Sequence, residues 1–126
     1  MLEKKAVEQG DIKFYELAFL EVEVRQKGQA VSVELKNFIL PPDDVPHDVQ
    51  QHITHWSQWI DYWSIDWNYR DDTFHNEWQS YRTRQNPKIE LKASNLYESK
   101  GKYTILVKVI DILGNDTTKI REVEIK

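Results

Sequence analysis

At 126 residues and 40% hydrophobic side chains, the chain has material for one core and not for two, so a single domain is expected. It has no cysteine, which excludes disulfides, thiol nucleophiles and thiolate metal sites, and no apolar run approaches the roughly 18 residues of a membrane-spanning helix. The net charge of −4 divides into −6 over residues 1–69, +3 over 70–108 and −1 over 109–126, a weaker basic excess than a polyanion-binding domain carries.

Residues 1–10 read as a polar lead-in to a domain spanning 11–126. Met1 to Glu8 hold no apolar stretch that would serve as a secretion signal, so a cytoplasmic home is expected. From Ile12 to Val24, Ala18, Leu20, Val22 and Val24 alternate with charged residues, which predicts a long strand. Gln26 to Gln29 turn the chain around Gly28, and Val31, Val33 and Leu35 alternate in the return strand. Phe38-Ile39-Leu40 closes it, because Pro41-Pro42 has no N–H to give to a ladder.

Asp43 and Asp44 offer helix-capping carboxylates and Pro46 suits a first turn. Val49, Ile53, Trp56 and Ile60 then recur at helical spacing, so one inserted helix is predicted over about residues 46–60. Nine of the fifteen aromatics, including all five tryptophans, lie between Trp56 and Tyr81. Trp63, Trp67 and Tyr69 share a strand phase, which points to core. Trp59, off the helix stripe, and Trp78, among polar neighbours, are the rings expected to be exposed. Asp71-Asp72-Thr73 is a loop, and Trp78 to Arg84 an edge strand with Arg82 and Arg84 on one side. Asn86-Pro87 breaks it, and Ile89 and Leu91 alternate in a further strand.

The last quarter is the clearest. Tyr97 precedes a turn at Gly101, and Tyr103, Ile105, Val107 and Val109 form one apolar face. A second turn falls at Gly114-Asn115, and a closing strand runs from Thr117 to Ile125, with Ile120 out of phase with Val123 and Ile125 and read as a bulge. Seven strands and one helix make an antiparallel sandwich the expected architecture.

Chemistry-bearing constellations are few. Asp48, His52 and His55 would share a helix face as three of the ligands of a metal site, against the plain reading of a solvated polar face. Asp66, Asp71 and Asp72 could offer oxygens to calcium, but the D-x-D-x-D-G spacing is absent and a surface acidic loop is the simpler reading. His75 has no G-x-S-x-G serine to serve, and four glycines provide no phosphate cradle. No catalytic, cofactor or metal residue is therefore assigned. The residues singled out for contact with a ligand or nucleic acid are Arg70, Trp78, Tyr81, Arg82, Arg84, Lys88 and Trp59. Cations (Lys92 among them) between rings would hold phosphates while bases stack, the alternative being an ordinary charged sheet face.

Two resemblances add to this reading. The Tyr97, Gly101, Tyr103, Ile105, Val107, Val109, Gly114 pattern resembles the final hairpin of the polycystic-kidney-disease (PKD) repeat, a small immunoglobulin-like sandwich. Asp66-Trp67-Asn68-Tyr69-Arg70-Asp71-Asp72 is similar to that family's W-D-F-G-D-G signature without its two glycines. The resemblance implies a mainly β, PKD-like sandwich of about seven strands, and a carbohydrate- or protein-binding module of a secreted or surface protein.

Ile12 to Val24, His55 to Tyr69, Asp72 to Arg84 and Val109 to Thr118 are also similar to the C-terminal region of adenine-specific DNA methyltransferases of restriction-modification systems. That likeness implies a non-catalytic accessory domain that recognises DNA, meets a restriction subunit or braces the rest of the parent enzyme. Pro41-Pro42, between Leu40 and Asp43, is not the P-P-Y/W loop of such enzymes, and no glycine motif for S-adenosylmethionine is present, so no catalytic residue carries over.

Overall fold

The computed structural model describes residues 18–41 and 45–126. The polar lead-in, the first part of the predicted opening strand and the capping residues Asp43 and Asp44 lie outside the described residues. Among the described residues seven antiparallel strands form two sheets: β1 (Phe19–Lys27), β2 (Ala30–Ile39), β3 (Ile60–Asp66), β4 (Trp78–Tyr81), β5 (Lys92–Leu96), β6 (Gly101–Asp111) and β7 (Asp116–Ile125). One sheet has the order β1-β2-β5, the other β4-β3-β6-β7. This is the expected mainly β sandwich.

Alternation places Leu20, Val22, Val31, Val33, Leu35 and Ala93 from the first sheet against Ile65, Ile105, Val107, Val109, Val123 and Ile125 from the second, all buried. Two bulges let residues three apart face the core together. One lies opposite Glu21/Val22, where Leu35 and Phe38 both turn inward. The other falls between Ile60 and Tyr62, where Ile60 and Trp63 do. Gln26 Nε2 donates to the carbonyl of Glu124 (2.8 Å) and the Tyr97 hydroxyl to that of Trp67 (2.6 Å), tying the sheets at the end away from Phe19. Burial first, then Glu77 nearby, pushes the Tyr97 phenol up to about 12.

Four expectations need correction. The helix over 46–60 is one turn, α1 (His47–Gln50), followed by a separate 3₁₀ turn at Trp56–Trp59. Gln58 Oε1 accepts from the backbone N–H groups of Thr54 and His55, and the His55 ring accepts from Ser57 N, so a second capped start replaces helix continuation. Ile60 therefore opens β3 instead of ending a helix. The strand predicted around Ile89 and Leu91 begins later, at Lys92, because Glu90 is held by side chains: Trp63 Nε1 donates to its carbonyl (2.6 Å) and Ser80 Oγ accepts from its N–H (2.8 Å). β4 ends at Tyr81, short of Arg84, where Thr83 and Asn86 close a turn.

Ile120 is no bulge, for β6 and β7 pair without a register shift from Gly101↔Ile125 to Ile110↔Asp116. It stands on the outer face opposite Leu106, while the core-facing phase of this edge strand carries Lys119 and Arg121 across from Val107 and Ile105. Charges so placed discourage a further strand from adding to the edge.

Candidate binding face

The outer face of the four-stranded sheet is built from the residues that alternate away from the core. Pairing sets them in rows across the strands: Tyr81, Tyr62, Ile110 and Asp116; then Gln79, Ser64, Lys108 and Thr118; then Asp66, Leu106 and Ile120. The segment from Trp67 to Glu77 folds back over the third row and buries Asp66 and Leu106. Asp66 organises it. Its Oδ1 accepts from Asn68 N (2.9 Å), its Oδ2 from His75 N (2.7 Å), and the His75 ring lies 3.5 Å from Oδ2. Glu77 Oε1 accepts from Trp67 N (2.8 Å), and Lys108 Nζ sits 5.2 Å above the Phe74 ring.

At the tip of this segment Arg70 and Thr73 bridge across Asp71 and Asp72, whose φ angles are 60° and 53°. Two consecutive left-handed residues are the geometry of a type I′ turn, which glycine would adopt without penalty and aspartate tolerates better than most. A tight turn thus forms without the two glycines.

The first row stays open. Tyr81 is 54% exposed and Tyr62 36%, with Ile110 half-buried beside them. The corresponding face of the three-stranded sheet is different in kind: Glu23 meets Arg25 (3.1 Å) and Lys36 (3.7 Å), and Lys36 meets Glu34 (3.8 Å). The hydrogen bond from Arg25 holds the Glu23 carboxyl below the usual carboxylate range.

Of the residues expected to contact a ligand, Tyr81 lies on the open row. Trp78 does not. Its ring packs against the core, edge-on to the fully buried Trp63 with centroids 4.7 Å apart, because its register partner is the inward-facing Ile65. Trp59 is likewise half-buried against the core, since the helix that would have turned it outward does not form. Together with His55 and Trp56 it lines a shallow, open depression of about 350 Å³ beside Phe38 and Ile39.

Arg82 acts as a strut. Its guanidinium donates to the carbonyls of Ser57 (2.8 Å), Ile60 (3.0 Å) and Pro87. Arg84 and Lys88 are exposed in the crossing between the sheets, Arg70 donates to the Asn68 carbonyl (2.8 Å), and Lys92 belongs to the other sheet, so the cations share no single face.

The Asp48, His52 and His55 set is not assembled. His52 Nδ1 donates to the Asp48 carbonyl (2.7 Å) and His55 caps the next turn. Asp66 is buried beneath the loop whose tip carries Asp71 and Asp72, so these three do not converge, and among the described residues no group of three or more His, Asp or Glu is placed to hold a metal. Tyr62 was missed by sequence reasoning. Its signal was its position one residue out of phase with Trp63 in an alternating strand.

Two paired antiparallel sheets make a β-sandwich, and its fold is PKD-like. The fold matches the PKD1 domain of Vibrio anguillarum Epp with a TM-score of 0.52 at 17% identity, covering 88% of this chain and 95% of that one. It also matches the PKD1 domain from the Vibrio cholerae metalloprotease PrtV, with a TM-score of 0.52 at 15% identity over 85% and 94% of the two chains. No family model matches the sequence, and no curated protein does. Neither structural neighbour supports the methyltransferase resemblance. Among the described residues no helix is long and apolar enough to cross a membrane.

Proposed function

We propose that this chain is a non-catalytic accessory module of PKD type that attaches a larger protein to a polysaccharide or protein surface. The observation that carries this reading is the domain-length likeness to PKD1 domains, one of them from a metalloprotease. The open face supports it: a row of exposed rings beside aliphatic carbon on a sheet is a surface for adhesion. The titratable groups work as parts of the framework, Asp66 in the loop, His55 in a cap and Arg82 in a strut.

Co-sedimentation of the chain with insoluble polysaccharide and with fibrous protein tests the proposal. Saturable retention on either is expected. Retention on neither, under conditions where the chain is folded by circular dichroism, contradicts it.

A further inference from the structure

The open row on the four-stranded sheet has a chemistry more specific than adhesion. Tyr81 and Tyr62 are direct cross-strand partners on an outer face, and Ile110 is the next residue in the same row. Neighbouring strands place such residues roughly 5 Å apart, close to the length of one pyranose unit in an extended sugar chain. Phenol rings offer flat carbon to the C–H faces of pyranoses and a hydroxyl to their equatorial oxygens.

The next row, Gln79, Ser64 and Lys108, is polar and runs parallel to the first. Gln79 and Lys108 are fixed from the side by the folded-back loop: Asn76 Nδ2 donates to Gln79 Oε1, and Phe74 lies under the Lys108 ammonium. Ser64 is buried between them, so the exposed Gln79 and the half-buried Lys108 supply the polar border, and a stacking row bounded in this way suits a chain lying across the strands. Asp116 closes the stacking row, and the bulged Asp61 adjoins Tyr62. Carboxylates at both places, on a chain of net charge −4, disfavour an anionic polymer.

We propose that Tyr81 and Tyr62 form a stacking platform for a neutral glycan chain that runs perpendicular to the strands of the four-stranded sheet. The inference rests on the binding-module reading above and narrows it to one face and one ligand class. Rigid sheet backbone keeps the two rings in register before binding, so little ordering cost falls on the protein.

The test is co-sedimentation of the full chain with microcrystalline cellulose and with chitin, alongside affinity electrophoresis in alginate as the anionic arm and sedimentation with insoluble collagen as the protein arm. The wild-type chain is expected to bind cellulose or chitin and to pass alginate unretarded. Tyr81→Ala and Tyr62→Ala are each expected to weaken polysaccharide binding about tenfold or more. Tyr81→Phe is expected to keep most of it, and Ile120→Ala, on the far side of the same face, to bind as wild type.

Should Tyr62→Ala fail to fold, Tyr81→Ala decides, its ring being the more exposed. Polysaccharide binding that survives Tyr81→Ala overturns the platform, as does retention by alginate alone. Binding to collagen without any polysaccharide binding also overturns it while leaving the module reading standing. No retention on any of the four sinks both.

Discussion

The outer face of the four-stranded sheet has two halves that use their residues in opposite ways. On the covered half, Asp66 and Leu106 are buried under a loop held by carboxylate-to-backbone hydrogen bonds. On the open half, Tyr81 and Tyr62 are exposed. The same alternating backbone supplies both. The difference arises where the chain leaves β3: a buried aspartate draws the segment from Trp67 to Glu77 back over its own end of the sheet. The proposed binding row and the covered row are therefore separated by the row of Gln79, Ser64 and Lys108, and changes in one should scarcely affect the other.

Asp66→Ala should break the comparison most severely. It strips two backbone N–H groups of their acceptor and unseats the cover from Leu106, at a cost of about 3 kcal/mol or more in unfolding free energy. Urea melts measure the loss, and hydrogen exchange should show the His75 amide losing protection. Unchanged stability would mean that the loop is held by something other than this carboxylate.

Tyr97→Phe tests the anchor of the same segment from the opposite sheet. Losing the donor to the Trp67 carbonyl should cost about 1–3 kcal/mol. The phenol also gives a pH signature. Its folded value of about 12 lies above the ordinary 10, so the unfolded chain loses its proton first. The contribution is complete below pH 10 and is lost as the pH rises towards 12. Thermal melts across that window should fall more steeply for the wild type than for Tyr97→Phe, and parallel curves would contradict the assignment.

Asp71→Gly and Asp72→Gly should sharpen the covered half by relieving the two left-handed residues at its tip. Each is expected to gain about 0.5–1 kcal/mol, the left-handed strain removed less the added chain entropy of glycine. Loss of stability in both would show that the aspartate side chains contribute more to the turn than their backbone costs.

Much of this division was written in the sequence, and the rest was hidden for identifiable reasons. The hairpins β1-β2 and β6-β7 follow from alternation around Gly28 and Gly114-Asn115, because a one-residue slip would turn a whole apolar face to water. The inserted helix misled because Val49, Ile53, Trp56 and Ile60 keep a helical period across what are two turns and a strand start. The His55 and Gln58 pair was the local sign of the break. The delayed start of β5 could not be read locally, since it depends on Trp63 and Ser80, 27 and 10 residues away from Glu90.

Rings behaved likewise. Tyr81, singled out for contact, is exposed, but Trp78 and Trp59 were drawn inward by partners that only the register supplies. Tyr62 became visible only once β3 and β4 were paired.

The central claim, that binding belongs to the open half and structure to the covered one, is tested most directly by NMR titration of the chain with soluble β-1,4-linked hexamers of glucose and of N-acetylglucosamine. The account predicts saturable shifts confined to Tyr62, Tyr81, Ile110 and their immediate neighbours, with Asp66 and Leu106 unmoved. Shifts centred instead on Trp56 and Trp59, or the absence of any shift with both sugars in large excess, would contradict it.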